Sequence, residues 1–192
     1  MPDDTVLLER HFDTAFAAPD GIQKLRQLIL NLAIQGKLVS QDPSDQPASG
    51  LLKETETQKK RLAMEGKIKE PKPLPKIKTD EIPYTLPQGW QWIRFGEITI
   101  NRDSERIPVS KEDRQKMVGE YDYYGASGVI DKVNDFLFDK DLLLIGEDGA
   151  NLINRSTPIA FIAHGKYWVN NHAHVVDAVH FDLLLYLGHW FR

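Results

Sequence analysis

The chain has 192 residues, 41% of them apolar, with 24 Lys+Arg against 28 Asp+Glu and a formal net charge of -4. That length suffices for one domain with its own core plus an appendage. The acidic balance excludes a generally basic nucleic-acid coat, the lack of any ~18-residue apolar run excludes a membrane-spanning helix, and zero cysteines exclude disulfides, thiolate metal sites and a thiol nucleophile.

The start, Met1-Pro2-Asp3-Asp4, lacks the basic flank of a secretory signal, so a soluble protein of the cytoplasm is expected. Leu8, Phe12 and Phe16 at spacing four predict a first helix over 4–16. Asp20 followed by Gln23 has capping-box form and opens a second helix over 21–35. In that helix Ile22, Leu25, Ile29 and Leu32 make one stripe. Leu28, Leu30 and Ile34 lie off it, so the helix is expected to pack against two neighbours, one of them another chain. Gly36 is a natural left-handed stop. A turn around Asp42-Pro43 leads to Pro47 in the first turn of a third helix, 47–65, ending at Gly66. Its few large aliphatics, Leu51, Leu52, Leu62 and Met64, predict a helix lying mostly on a surface.

Residues 53–78 carry a net charge of +5 between segments of -3 and -6. A solvated helix face running into a charged linker is the favoured reading, a phosphate contact the sharper one. Glu70-Pro71-Lys72-Pro73-Leu74-Pro75-Lys76 favours extended polyproline geometry, which sets the expected boundary between a helical segment, 1–78, and a second domain, 79–192. Short strand-like runs follow at 90–95, 142–145, 158–163, 166–169 and 174–179, with a strand end at Tyr121–Tyr124. His164-Gly165 resembles a tight hairpin connection. A last helix is expected over 181–191. The expected fold class is α+β: a helical segment followed by a mostly β domain with a C-terminal helix.

Phosphate-loop, dinucleotide and methyl-transfer motifs are absent from the sequence. In Gly125-Ala126-Ser127-Gly128 the second glycine comes one place too early for a nucleophile elbow. His172-Ala173-His174 has the same-face spacing of zinc ligands but no third ligand, which favours hydrogen bonding over metal. Glu147-Asp148 suits a turn better than a Mg²⁺ site. No catalytic residue and no metal site is assigned. The polar stretch 101–120 offers Arg102, Arg106, Lys111, Arg114, Gln115 and Lys116 as candidate readers of base edges. Among its acids are Asp103, Glu105, Glu112 and Asp113, and a solvated loop folded over the core is the alternative. Asn151, Asn154 and Arg155 form a second candidate edge.

Several segments then match one family in order. Residues 24–39, running from Lys24 through Asn31-Leu32-Ala33-Ile34-Gln35-Gly36 to Val39, and Pro47-Ala48-Ser49 through Gly66-Lys67-Ile68-Lys69 resemble the helical segment of type I restriction-modification specificity subunits. Leu86-Pro87-Gln88-Gly89-Trp90-Gln91-Trp92 with Gly96-Glu97-Ile98 looks like the opening strand of their target-recognition domain. Tyr124–Gly128, Leu143–Ala150 and Tyr167–Val175 continue the resemblance.

It implies a non-catalytic subunit that reads double-stranded DNA while methyltransferase subunits dock on the helices, here through Ile22, Leu25, Ile29 and Leu32, and restriction subunits join. S-adenosylmethionine, ATP and Mg would belong to those partners. The family alternates two recognition domains with two helical spacers. One of each here implies a truncated subunit, its recognition domain incomplete, which self-pairing of half-subunits would restore to two domains. Two other readings stay open: a metal-dependent nuclease using Glu147, Asp148 and His172, and a helical adaptor without DNA binding.

Overall fold

A computed structural model describes residues 4–154 and 156–191. Three long helices come first: α1 (Asp4–Ala17), α2 (Gly21–Ile34) and α3 (Ala48–Met64). The remainder alternates short elements: α4 (Phe95–Ile98), β1 (Ile100–Asn101), α5 (Lys111–Arg114), β2 (Tyr121–Gly125), β3 (Gly128–Val133), β4 (Phe138–Asp139), β5 (Leu142–Gly146), α6 (Asn151–Asn154), β6 (Ala160–Ala163), β7 (Lys166–Val169), β8 (Ala173–Asp177) and α7 (Phe181–Trp190). The class is α+β, as the sequence predicts. The chain divides into two compact units interleaved in sequence: residues 1–49 with 77–92, and residues 50–76 with 93–192.

In the first unit α1 packs on α2. Gly36 ends α2 with φ +65°, and its amide and that of Lys37 reach back to Ala33 and Leu32 carbonyls at 3.0 and 2.8 Å, the Schellman pattern. Pro87 and Trp90 close over this end so tightly that a Cβ on Gly36 would lie 2.7 Å from Pro87 Cγ. Trp90 Nε1 donates to Gln41 Oε1 at 2.8 Å, while Gln41 Nε2 donates to the Gly36 carbonyl at 2.8 Å. Two expectations are corrected here. Asp20 does not cap α2: it sits at φ 60° with no side-chain cap bond. Residues 90–95 are not a strand. Trp90 is held on the end of α2, and Phe95 opens α4, where Glu97 accepts the Arg94 amide at 2.8 Å.

The second unit is built from two four-stranded sheets, ordered β1-β8-β5-β6 and β3-β2-β7-β4. The first is antiparallel throughout; in the second, β2 and β7 run parallel. The unbroken apolar run of β5 follows from burial on both faces. Leu142 and Leu144, with Tyr167, Val169 and Val175, fill the space between the sheets. Leu143, with Ala160 and Val176, faces the other way, onto Leu184 and Leu187 of α7 and onto Leu51 and Leu52 of α3. Each such leucine, fully removed from water, contributes about 1.5–3 kcal/mol. Thus α3 puts one face on a core, and Lys59 donates to the Gly96 carbonyl. His164-Gly165 does not close a hairpin. β6 pairs with β5 and β7 with β2 and β4, so this turn carries the chain from one sheet to the other.

Candidate nucleic-acid interface

At one end of the second unit three loops are stitched together. The β2–β3 turn packs against the end of β5, where a Cβ on Gly146 would lie 2.7 Å from the Ala126 carbonyl oxygen. The Glu147 amide donates to the His172 carbonyl at 2.9 Å, and the Asn170 amide to that of Tyr124 at 3.1 Å. The buried Asn170 accepts the His172 amide on Oδ1 at 2.8 Å. The β2–β3 turn, the start of the loop after β5 at Gly146 and Glu147, and loop 170–173 therefore share a surface that the strands support.

The segment 101–106 braces that surface. Arg106 donates through Nη1 to Glu147 Oε2 and to the Ala173 carbonyl, both at 2.8 Å. Asp103 accepts the Val175 amide at 2.8 Å and faces His174 Nδ1 at 2.7 Å. Burial would raise the Asp103 carboxyl, but the Val175 amide, Asn101, His174 and the Arg106 charge overcome it and hold it below its ordinary value. Arg102 is 2.8 Å from Asp177 and 3.0 Å from Glu105. Burial disfavours its charge, yet those carboxylates outweigh that and raise its pKa. Arg114 pairs with Asp131 at 2.8 Å and lies 4.6 Å over the Tyr123 ring. The side chains of these three arginines are 19%, 14% and 13% exposed. They are bound to carboxylates of their own chain.

Lys111, Gln115 and Lys116 remain exposed, although Lys116 leans 3.0 Å from Asp113. Asn151 faces inward. Its Oδ1 accepts the Thr157 amide at 3.0 Å and the Ser156 hydroxyl at 3.1 Å, and its Nδ2 donates to the Thr157 carbonyl at 2.9 Å. Asn154 is exposed, and Arg155 lies outside the described residues. Ile153, 86% exposed on the loop Asn151 closes, is absent from the sequence candidates; its signal is an apolar pair, Leu152-Ile153, set between two asparagines in a turn-rich stretch.

The carboxylates weighed for metal chemistry are engaged otherwise. Glu147 holds Arg106, and Asp148 lies 2.6 Å from His172 Nδ1. Among the described residues no group of three or more His, Cys, Asp or Glu is placed to hold a metal ion.

Elsewhere in this unit Lys53, Thr57 and Gln58 of α3 face Arg102, Lys140 and Asp177 across an open cavity of about 440 Å³. In the first unit the α2 stripe splits. Leu32 is buried, at 5% exposure, and Leu25 and Ile29 are half-buried, whereas Ile22 is 47% exposed. Phe12 and Phe16 stack with ring centroids 6.0 Å apart, both exposed. No helix among the described residues is long and apolar enough to cross a membrane.

The family model described as type I restriction modification DNA specificity domain matches residues 87–192, more than half of the chain. The chain belongs to this family. It is 54% identical over 102 residues to the type I restriction enzyme EcoEI specificity subunit of Escherichia coli, a match covering 53% of this chain and 17% of that protein. It is also 52% identical over 91 residues to the EcoAI specificity subunit of the same species, 47% of this chain and 15% of the relative. The match thus spans about a sixth of the length of these curated relatives. No solved structure matches the chain. As a specificity-subunit sequence, it carries its family match on most of the sheet-built unit and on the residues that close over α2.

Proposed function

We propose that this chain reads a double-stranded DNA sequence for a type I restriction-modification complex and supplies no catalytic group of its own. The observation that carries the proposal is the coincidence of the DNA-specificity match, residues 87–192, with a unit whose loops gather at one end of two rigid sheets. Loops on a stiff scaffold are where recognition is usually placed. Lys111 and Gln115, with Lys116 on its exposed pair with Asp113, are open to phosphates or base edges, while Arg102, Arg106 and Arg114 hold the loops in shape. Adenine methylation and cleavage, with their S-adenosylmethionine, ATP and Mg, fall to methyltransferase and restriction subunits in the cytoplasm.

The first unit supplies the grip on the methyltransferase subunit. Ile22 with Phe12 and Phe16 gives it exposed apolar surface, whereas Leu32 serves its own fold. The chain should co-elute with the methyltransferase subunit of its system, and the complex should bind duplex DNA and methylate one defined sequence. Ile22→Asp, which leaves the buried Leu32 in place, should abolish co-elution. Co-elution unaffected by Ile22→Asp sinks the docking assignment; a complex that binds no duplex at low salt sinks DNA recognition.

A further inference from the structure

The loop between β5 and β6 has a construction that the arginine-rich stretch lacks. Its base is closed by the Gly146 amide donating to the Ile159 carbonyl at 2.7 Å, and Gly149 opens it at φ +95°. The Asn151 side chain then ties the outgoing limb to the returning one through three hydrogen bonds. Within that clamp α6 presents Ile153, 86% exposed, beside Asn154, whose side chain makes no hydrogen bond among the described residues. An isoleucine held in water on a braced loop loses little further freedom on binding, since its β-branch already restricts χ1. At the loop's base Glu147 pairs with Arg106, and Asp148 lies 2.6 Å from His172 Nδ1.

We infer that Ile153 and Asn154 read an A·T base pair in the major groove, Ile153 against the thymine 5-methyl group and Asn154 across adenine N6 and N7. The chemistry follows from the groove edges. Asparagine pairs its amide with the adenine N6 donor and N7 acceptor, and an aliphatic side chain packs on the methyl that only thymine carries. This rests on the reading of the chain as a DNA-recognition subunit. Asn151 is then a positioning residue that touches no base.

The test is selection from a random duplex library at low salt with the methyltransferase complex of the parent chain, of Ile153→Ser and of Asn154→Ala; both side chains are exposed, so both variants should keep the parent's melting temperature. The parent should enrich a motif containing an A·T pair that both variants lose. Placing deoxyuridine at that thymine, which deletes only the methyl, should weaken the parent and leave Ile153→Ser unchanged. Placing 7-deazaadenine opposite should weaken the parent and leave Asn154→Ala unchanged. Each analogue should cost the parent roughly tenfold in affinity. A motif that both variants still select, or parent binding indifferent to both analogues, overturns the assignment while leaving DNA recognition intact. If the parent enriches nothing, DNA recognition itself falls and the inference with it.

Discussion

Arg106 and Glu147, 41 residues apart in the chain, meet at 2.8 Å, and the same Nη1 reaches the Ala173 carbonyl. One guanidinium thus ties the 101–106 segment to the loop after β5 and to the start of β8. The residue with the outward look of a DNA contact is a strut between three loops.

Arg106→Ala should therefore act first on stability. It takes from Glu147 its closest partner and from Asp103 one of several contacts, with an expected loss of about 2 kcal/mol, below the range for a fully buried pair because Glu147 is partly solvated. Lys111→Ala, on an exposed side chain, should stay within about 0.5 kcal/mol of the parent while weakening DNA binding. Urea titrations of both variants check this; a fully stable Arg106→Ala would return that residue to the pool of direct DNA contacts.

Gly36→Ala should destabilise the first unit by more than about 1 kcal/mol, because an alanine at positive φ is strained and its methyl meets Pro87. Trp90, packed on this glycine, is the natural reporter. Its fluorescence should shift at lower urea in the variant than in the parent.

Asn151→Ala should loosen the β5–β6 loop with little effect on the sheets beneath it. Amide exchange over 150–157 should accelerate, whereas that of Leu143 and Val175 should not. The loss in global stability should stay near 1 kcal/mol, the scale of a few partly exposed hydrogen bonds.

Acid should attack the same braced surface. Asp103 is held below its ordinary value of 3.8, so its ionised form is bound more tightly in the folded chain than in the unfolded one. The stability this supplies is complete above the unfolded value and lost as pH falls through the folded one. Thermal melts of the parent should drop steeply below pH about 4. Asp103→Asn should start lower at neutral pH and fall less in acid, since its contacts to His174 and Arg106 no longer titrate.

Periodicity made the helices legible. Ile22, Leu25, Ile29 and Leu32 mark α2, and Gly36 and Gly66 stop α2 and α3 with left-handed turns. The continuous apolar run Leu142–Ile145 marked a strand, and the structure shows it buried on both faces. What local pattern could not show was partnership. The apolar character of 90–95 looked like a strand, but Trp90 spends it on the end of α2. Strand propensity on either side of His164-Gly165 was real, yet the two strands belong to different sheets. The arginines carried the same ambiguity at the site: Arg102 meets its carboxylate 75 residues away at Asp177, and no spacing rule reaches that far. The two-faced amide of Asn151 was legible only as a polar residue in a loop, until the returning limb showed what it holds.

The position of β8 has a consequence for how this chain is made. It lies between β1 and β5, so a strand made after both must slot between them. While the ribosome is still short of Ala173, β1 has no neighbour in its sheet and β5 has only β6, leaving Leu143 and Leu144 without much of their cover. A nascent chain in that interval leaves strand edges unpaired, so aggregation before Ala173 emerges is the expected hazard of this strand order.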